Sequence, residues 1–291
     1  MTPAETGTGK YELLLERCRG FDAVPTAVAH PCEETALAAA MEAGAKGLIV
    51  PILVGPAAKI KQVAAAAGAV RLVREGKAQL LMKGSLHTDE LLGAVVARDT
   101  GLRTGRRLSH AFIMDVPTYH KVLIVTDAAI NIAPTLEDKA DICQNAIDLA
   151  MSLAMARPKV AVLAAVETVT SKMPATLDAA ALCKMADRGQ IKGGLIDGPL
   201  AFDNAISKEA AQTKGITSEV AGDPDILLAP DLEAANILAK LLTFLANSDS
   251  AGLVLGAKVP IILTSRADSV RARIASCAVA VLAAHARAVK P

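Results

Sequence analysis

Three polar side chains, Ser265, Arg266 and Asp268, crowd into LTSRADSV (263–270). The apolar run VPIIL precedes them and RARIASCAVAVLAAHA follows, so they stand where a buried strand turns into a helix. Charges are costly in an interior and cheap in an exposed turn. Open α/β proteins hold their ligands at such strand exits. Four more segments place small or polar residues between an apolar run and a helical pattern: MKGSLHTDE (82–90), TDAAINIAP (126–134), DGPLAFDNA (197–205) and APDLEAAN (229–236). Helix starts offer free N–H groups and a positive dipole end, which favour phosphate. Thr135, Asp203 and Asp231 also read as plain helix caps.

Other chemistries lack their residues. GTGK (7–10) has Ala4 where a phosphate loop needs its first glycine, and no GxGxxG occurs. His30, His87, His110, His120 and His285 show no ligand spacing, and neither GxSxG nor HExxH is present. Cys18, Cys32, Cys143, Cys183 and Cys277 are scattered without a CxxC pair, which argues against a zinc site, a disulfide framework or a reactive thiol.

The elements that must position the polar segments follow from periodicity. Apolar runs without alternation read as strands buried on both faces: 24–30, 48–54, 79–84, 108–116, 121–127, 159–166, 192–199, 225–231 and 259–265. A helix is expected from about Glu137 to Ala156, with Ile142, Ala146, Leu149, Ala150 and Leu153 as its stripe, Thr135 as N-cap and Asp138 as capping-box partner. The last helix runs from Ser269 to about Ala286, with Ile274, Cys277, Ala278, Val281 and Leu282 inward and His285 at the core edge. This βαβ alternation predicts an α/β fold with a parallel-rich, doubly wound sheet. PTYH (117–120) is too short for a crossover, so the strands on either side form an antiparallel hairpin and a hinge between two lobes.

Composition agrees. Of 291 residues, 52% are hydrophobic and only 2% aromatic, so the core is built from Val, Ile, Leu and Ala. A net charge of +1 gives no reason to expect a nucleic-acid or membrane surface, while a small anionic ligand needs only a few local cations. No apolar segment is long enough to span a bilayer, the N-terminus lacks a secretory signal, and the cysteine usage fits a reducing cytoplasm.

The order of the segments LLMKG, GLRTGRRLSHAFIMDVPTYHKVLIVTDAAINIAP, KMPATLDAAALCKMADRGQIKGGLIDGPLAFDN, GDPDILLAPDLEAANIL and VPIILTSRADS resembles the phosphate acetyltransferase and phosphate butyryltransferase family, over about Lys10 to Ala286. TDAAINIAP and SRADS together look closest to the butyryltransferase branch. The resemblance implies reversible transfer of a short acyl group, acetyl or butyryl, between coenzyme A and inorganic phosphate. It implies no metal and no tightly bound cofactor, with acyl-CoA as substrate, and a cytoplasmic homodimer. The implied fold is two α/β lobes around a cleft, like the isocitrate and isopropylmalate dehydrogenases, with residues 1–118 and 253–291 in one lobe and 119–252 in the other.

On that resemblance Arg266 binds phosphate and Ser265 donates to the substrate carbonyl or the thiol sulfur. The acetyltransferase branch has a catalytic aspartate a little further into the helix, where this chain reads Val270, Arg271, Ala272 and Arg273. Asp268 then takes the base role, or the thiol is activated otherwise. An upstream phosphate-binding arginine matches Arg106, with Arg107 as alternative, and another falls at Phe244. Lys83, Ser109, Asp127, Asn131, Gly198, Pro199 and Asn204 line up with cleft-facing positions. Two rivals stand beside this reading. One is a non-catalytic acyl-CoA sensor of the same fold. The other is an NAD-dependent decarboxylating dehydrogenase, which would need an aspartate cluster for its metal.

Overall fold

Nine of the apolar runs become strands of one sheet, and a tenth strand joins them. The computed structural model describes residues 9–55, 62–265 and 268–289. The first part of the chain alternates α1 (Lys10–Cys18), β1 (Val24–Ala29), α2 (Glu34–Ala45), β2 (Ile49–Val54), α3 (Gln62–Arg74), β3 (Leu80–Lys83) and α4 (Thr88–Val96). Then come β4 (Ser109–Asp115), β5 (Leu123–Thr126), α5 (Leu136–Ser152), β6 (Lys159–Leu163), α6 (Pro174–Asp187) and β7 (Leu195–Leu200). Two short helices, α7 (Phe202–Ile206) and α8 (Lys208–Thr213), lead to β8 (Ile226–Leu228) and α9 (Leu232–Leu245). The chain closes with β9 (Asp249–Leu255), β10 (Ile261–Ile262) and α10 (Val270–Val289).

The strand order is β2-β1-β3-β10-β9-β4-β5-β8-β6-β7. Pairing is parallel except at three neighbouring seams, β10 with β9, β9 with β4, and β4 with β5. The expected hairpin is there, in register from Ala111 opposite Thr126 to Met114 opposite Leu123. Three successive reversals turn the chain direction over, so β5, β8, β6 and β7 run opposite to β1, β3 and β10. Their exits therefore open at the other edge of the sheet.

Side chains alternate across the sheet, and the two faces are covered differently. On one face a continuous core joins Val28 and Met82 to Ile124 and Val160, under α2, α5 and α10. On the other face the core is split. One cluster packs Ala27, Leu81 and Ile261 against Ala66, Ala69 and Leu91 of α3 and α4. The second packs Val125, Ala161 and Leu227 against Ala205, Ala211, Ala235 and Leu242 of α7, α8 and α9. In β4, Leu108 precedes the strand in the first cluster, Met114 lies in the second, and His110 falls between them. The abundance of alanine on these helices lets them lie close to the sheet.

Local readings hold at several ends. Thr135 Oγ1 accepts from Asp138 N at 3.2 Å and the Asp138 carboxylate accepts from Thr135 N at 3.1 Å, a reciprocal cap for α5. Asp231 caps α9 by accepting from Ala234 N at 2.8 Å. Asp203 does not cap: Ala201 holds the cap position of α7, and the Asp203 carboxylate pairs with Lys214 at 3.1 Å. The helix expected to reach Ala156 ends at Ser152, and Ala154 follows in a left-handed conformation, φ 64°.

The strand that periodicity missed is β9. Its run contains Gly252, a poor strand former. Position 252 has no room for more, since a Cβ there would lie 2.7 Å from the Leu263 carbonyl oxygen and 3.1 Å from His110 Nε2.

Candidate functional site

The corner after β10 is built by local bonds. Leu263 leaves the ladder but still donates its N–H to Gly252 O at 3.3 Å, so the chain folds onto β9 where the missing side chain leaves space. Ser265 N donates to Asp268 Oδ2 at 2.6 Å and Asp268 N returns a bond to Ser265 O at 3.2 Å, which closes the turn. Ser269 Oγ accepts from Ala272 N at 3.2 Å and caps α10. Thr264 is buried and Ser265 exposed. Arg266 lies outside the described residues.

Under this turn sits a residue to which the motif gives no role, Arg273. Arg273 is 1% exposed. Its Nη1 donates to Thr264 Oγ1 at 2.9 Å and its Nη2 to Ser265 O at 3.0 Å, while Nε has no partner. The sequence carried the signal: Arg273 stands four residues before Cys277, on the inward stripe of α10.

The neighbouring exits are packed as tightly. Gly84 follows β3 where a Cβ would be 2.3 Å from Ala29 O, so β1 and β3 leave the sheet in contact. Lys83 is 4% exposed on the split face, and its ammonium donates to Gly84 O at 3.2 Å and Leu86 O at 3.1 Å. Between the two clusters His110 is buried and its ring bonds the backbone of Leu263. Burial pushes the imidazole pKa down, against the opposing pull of Asp127, and Nδ1 is left without a partner.

Asp127 is an acceptor hub. Oδ1 takes N–H bonds from His110 at 3.0 Å, Ala129 at 3.1 Å and Ile130 at 3.2 Å, and Oδ2 takes Asn131 N at 3.1 Å together with the Asn131 side-chain amide. Asn131 also donates to Leu108 O at 2.8 Å and accepts from Arg107 Nε at 2.6 Å. Arg107 is thereby held near Asp138, at 3.4 Å.

The remaining candidates lie elsewhere. Arg106 pairs with Asp148 of α5 at 2.5 Å and shares a recess of about 230 Å³ with Arg287. Ser109 faces α5 as well, accepting from Asn145 Nδ2 at 3.0 Å. Gly198 and Pro199 belong to β7, where a Cβ on Gly198 would meet Val162 O at 2.7 Å. Asn204 is fully buried in α7, donates to Glu167 Oε2 at 3.1 Å, and leaves Oδ1 unpaired. The structure thus gathers Lys83, Ser265 and Asp268 at one edge. Through His110 and Leu263 it ties in Asp127 and Asn131, and it leaves Arg106, Ser109, Gly198, Pro199 and Asn204 apart.

Four of the five thiols are held protonated, while Cys32 is exposed after β1. Burial pushes Cys143, Cys183 and Cys277 up to about 12 and Cys18 up to about 11, which keeps them protonated. Among the described residues no group of three His, Cys, Asp or Glu side chains gathers as metal ligands, and no helix is long and apolar enough to cross a membrane.

A family model described as Phosphate acetyl/butaryl transferase matches residues 58–281. A phosphate acetyltransferase of Rhizobium meliloti is 59% identical, over 96% of this chain and 94% of that one. A phosphate butyryltransferase of Clostridium beijerinckii is 42% identical, over 94% and 97%. The crystal structure of a branched-chain phosphotransacylase from Enterococcus faecalis superposes with a TM-score of 0.81 at 30% identity, covering 90% of this chain and 99% of that one. Relatives of both names are therefore similar to this chain, and the butyryltransferase branch is not singled out.

Proposed function

The chain belongs to the Phosphate acetyl/butaryl transferase family and is a phosphotransacylase, and from that premise we propose that acyl transfer between coenzyme A and phosphate runs at the Leu263–Asp268 corner, over the gap between the two core clusters. The observation that carries this reading is the corner itself. A braced turn, opening at exposed Ser265 and closed by Asp268, lies beside the exit that bears Lys83 and over a floor of Gly252 and His110. We also propose two lobes, 1–118 with 253–291 and 119–252.

The chemistry follows from these groups. A phosphate oxygen forms a bond to the thioester carbonyl carbon, and the carbonyl electron pair moves onto oxygen. That oxyanion collapses, the C–S bond breaks, and coenzyme A leaves as a thiolate that then takes a proton. In this proposal Arg266 holds phosphate oxygens, since charge-assisted bonds grip oxyanions best. Ser265 donates to the carbonyl oxygen or the departing sulfur. In the reverse direction the thiol, with a pKa of about 8.5 when free, must give up its proton to attack, and in this proposal the Asp268 carboxylate takes it. One Asp268 oxygen already receives the Ser265 amide, so it also fixes the turn. Lys83, Asp127 and Asn131 support the floor. We propose the reaction without metal or tightly bound cofactor, on acetyl- or butyryl-CoA, in the cytoplasm.

Incubation with acetyl-, propionyl- and butyryl-CoA should release free thiol from at least one of them only when phosphate is added. A folded preparation that releases none would end the proposal. Binding of CoA without that release would point to the sensor, and nicotinamide reduction to the dehydrogenase; the relatives favour neither. We also propose a homodimer. The strip Ile237, Leu241, Phe244 and Leu245 of α9 is exposed at helical spacing and would be covered by its own copy across a two-fold axis. Light scattering should give the mass of two chains, and the mass of one would overturn it.

A further inference from the structure

Arg273 is set apart from Arg271, its neighbour on α10, by what it lacks. Arg271, two residues earlier on α10, pairs with Asp249 at 2.9 Å and Glu12 at 3.6 Å. Arg273 is buried to 1% exposure, and among the described residues no carboxylate pairs with it. Its two bonds go to neutral oxygens, Thr264 Oγ1 and Ser265 O, and its Nε has none. A buried charge without a counterion is unfavourable unless something else compensates it. Both of its acceptors belong to the turn that precedes Arg266, and the N-terminal end of α10 adds its own positive potential there.

We propose that Arg273 is the positioning residue of the phosphate subsite. Its guanidinium clamps Thr264 and Ser265 from beneath, and its uncompensated charge raises the affinity of the corner for a dianion. Phosphate or the phosphoryl end of the acyl phosphate is the missing counterion. This rests on the phosphotransacylase reading of the same corner, and it assigns Arg273 no contact with the reacting atoms.

Arg273→Gln removes the charge and keeps donors, whereas Arg273→Lys keeps the charge. Arg273→Gln should raise the KM for phosphate about tenfold or more, with the KM for acyl-CoA within about twofold, and Arg273→Lys should recover most of the loss. Thr264→Val removes one anchor without changing shape, and should raise the phosphate KM about threefold. It also carries the test if Arg273→Gln fails to fold. An unchanged phosphate KM in these variants would overturn the inference. So would equal damage by glutamine and lysine, or an equal rise in both KM values.

At one fixed concentration, inorganic phosphate should also raise the thermal midpoint of the wild type and Arg273→Lys by similar amounts, and that of Arg273→Gln by clearly less. That measurement needs no turnover, so it separates the two claims. A wild type without thiol release ends the functional proposal, and a phosphate shift as large in Arg273→Gln as in the wild type ends this one.

Discussion

Arg266→Ala should lower phosphate-dependent thiol release at least about a hundredfold, the loss of one strong transition-state contact worth roughly 3 kcal/mol. A guanidinium offers parallel donors to two oxygens of a phosphoryl group, and nothing in an alanine replaces them. The fold should tolerate the change. The turn is closed by the Ser265–Asp268 bonds, capped by Ser269 and clamped by Arg273, none of which needs the side chain at position 266. The melting temperature should accordingly stay within about 2 °C of wild type, as for a surface substitution. Arg266→Lys should recover only part of the rate, because an ammonium supplies charge without the planar fork. A rate for Arg266→Ala within a few-fold of wild type would move the phosphate site elsewhere.

The strand and helix content was legible because buried parallel strands and alanine-rich helices leave long, unambiguous apolar runs. The Thr135–Asp138 cap and the β4–β5 hairpin were legible for a similar reason, since each depends on residues close in sequence. What escaped was non-local. Gly252 breaks the apolar signal of β9, and its absence of a side chain makes sense only once Leu263 is seen to cross it. Without β9 two of the three antiparallel seams are missing, and the edge at which each exit opens stays hidden. So Arg106 and Ser109, which line up with cleft positions by motif, are found against α5. Arg273 is hidden because a residue on the inward stripe of α10 signals packing, and only the turn folded above it shows what its guanidinium holds. His110 had no ligand spacing to announce it; only the split of the core marks it as the floor.

Asp127→Ala should cost the protein about 4 kcal/mol or more of stability, at the upper end of single substitutions. The carboxylate is 3% exposed and takes bonds from the backbone N–H groups of His110, Ala129, Ile130 and Asn131 and from the Asn131 amide. Each donor left without an acceptor in the interior costs roughly 1–3 kcal/mol, less where water can enter the space. For a chain of this size the melting temperature should fall by about 10 °C, at roughly 2–4 °C per kcal/mol. Asp127→Asn keeps the volume but turns an NH2 group toward donors at one end or the other, so it should lie between alanine and wild type. The readout also decides what the residue is for. A carboxylate that served substrate directly would lose rate with little change in melting. One that ties β4 to the turn after β5 must lose stability first, with Arg107 released from Asn131 as a consequence. An Asp127→Ala protein that melts within about 2 °C of wild type yet fails to turn over would return Asp127 to the reacting groups.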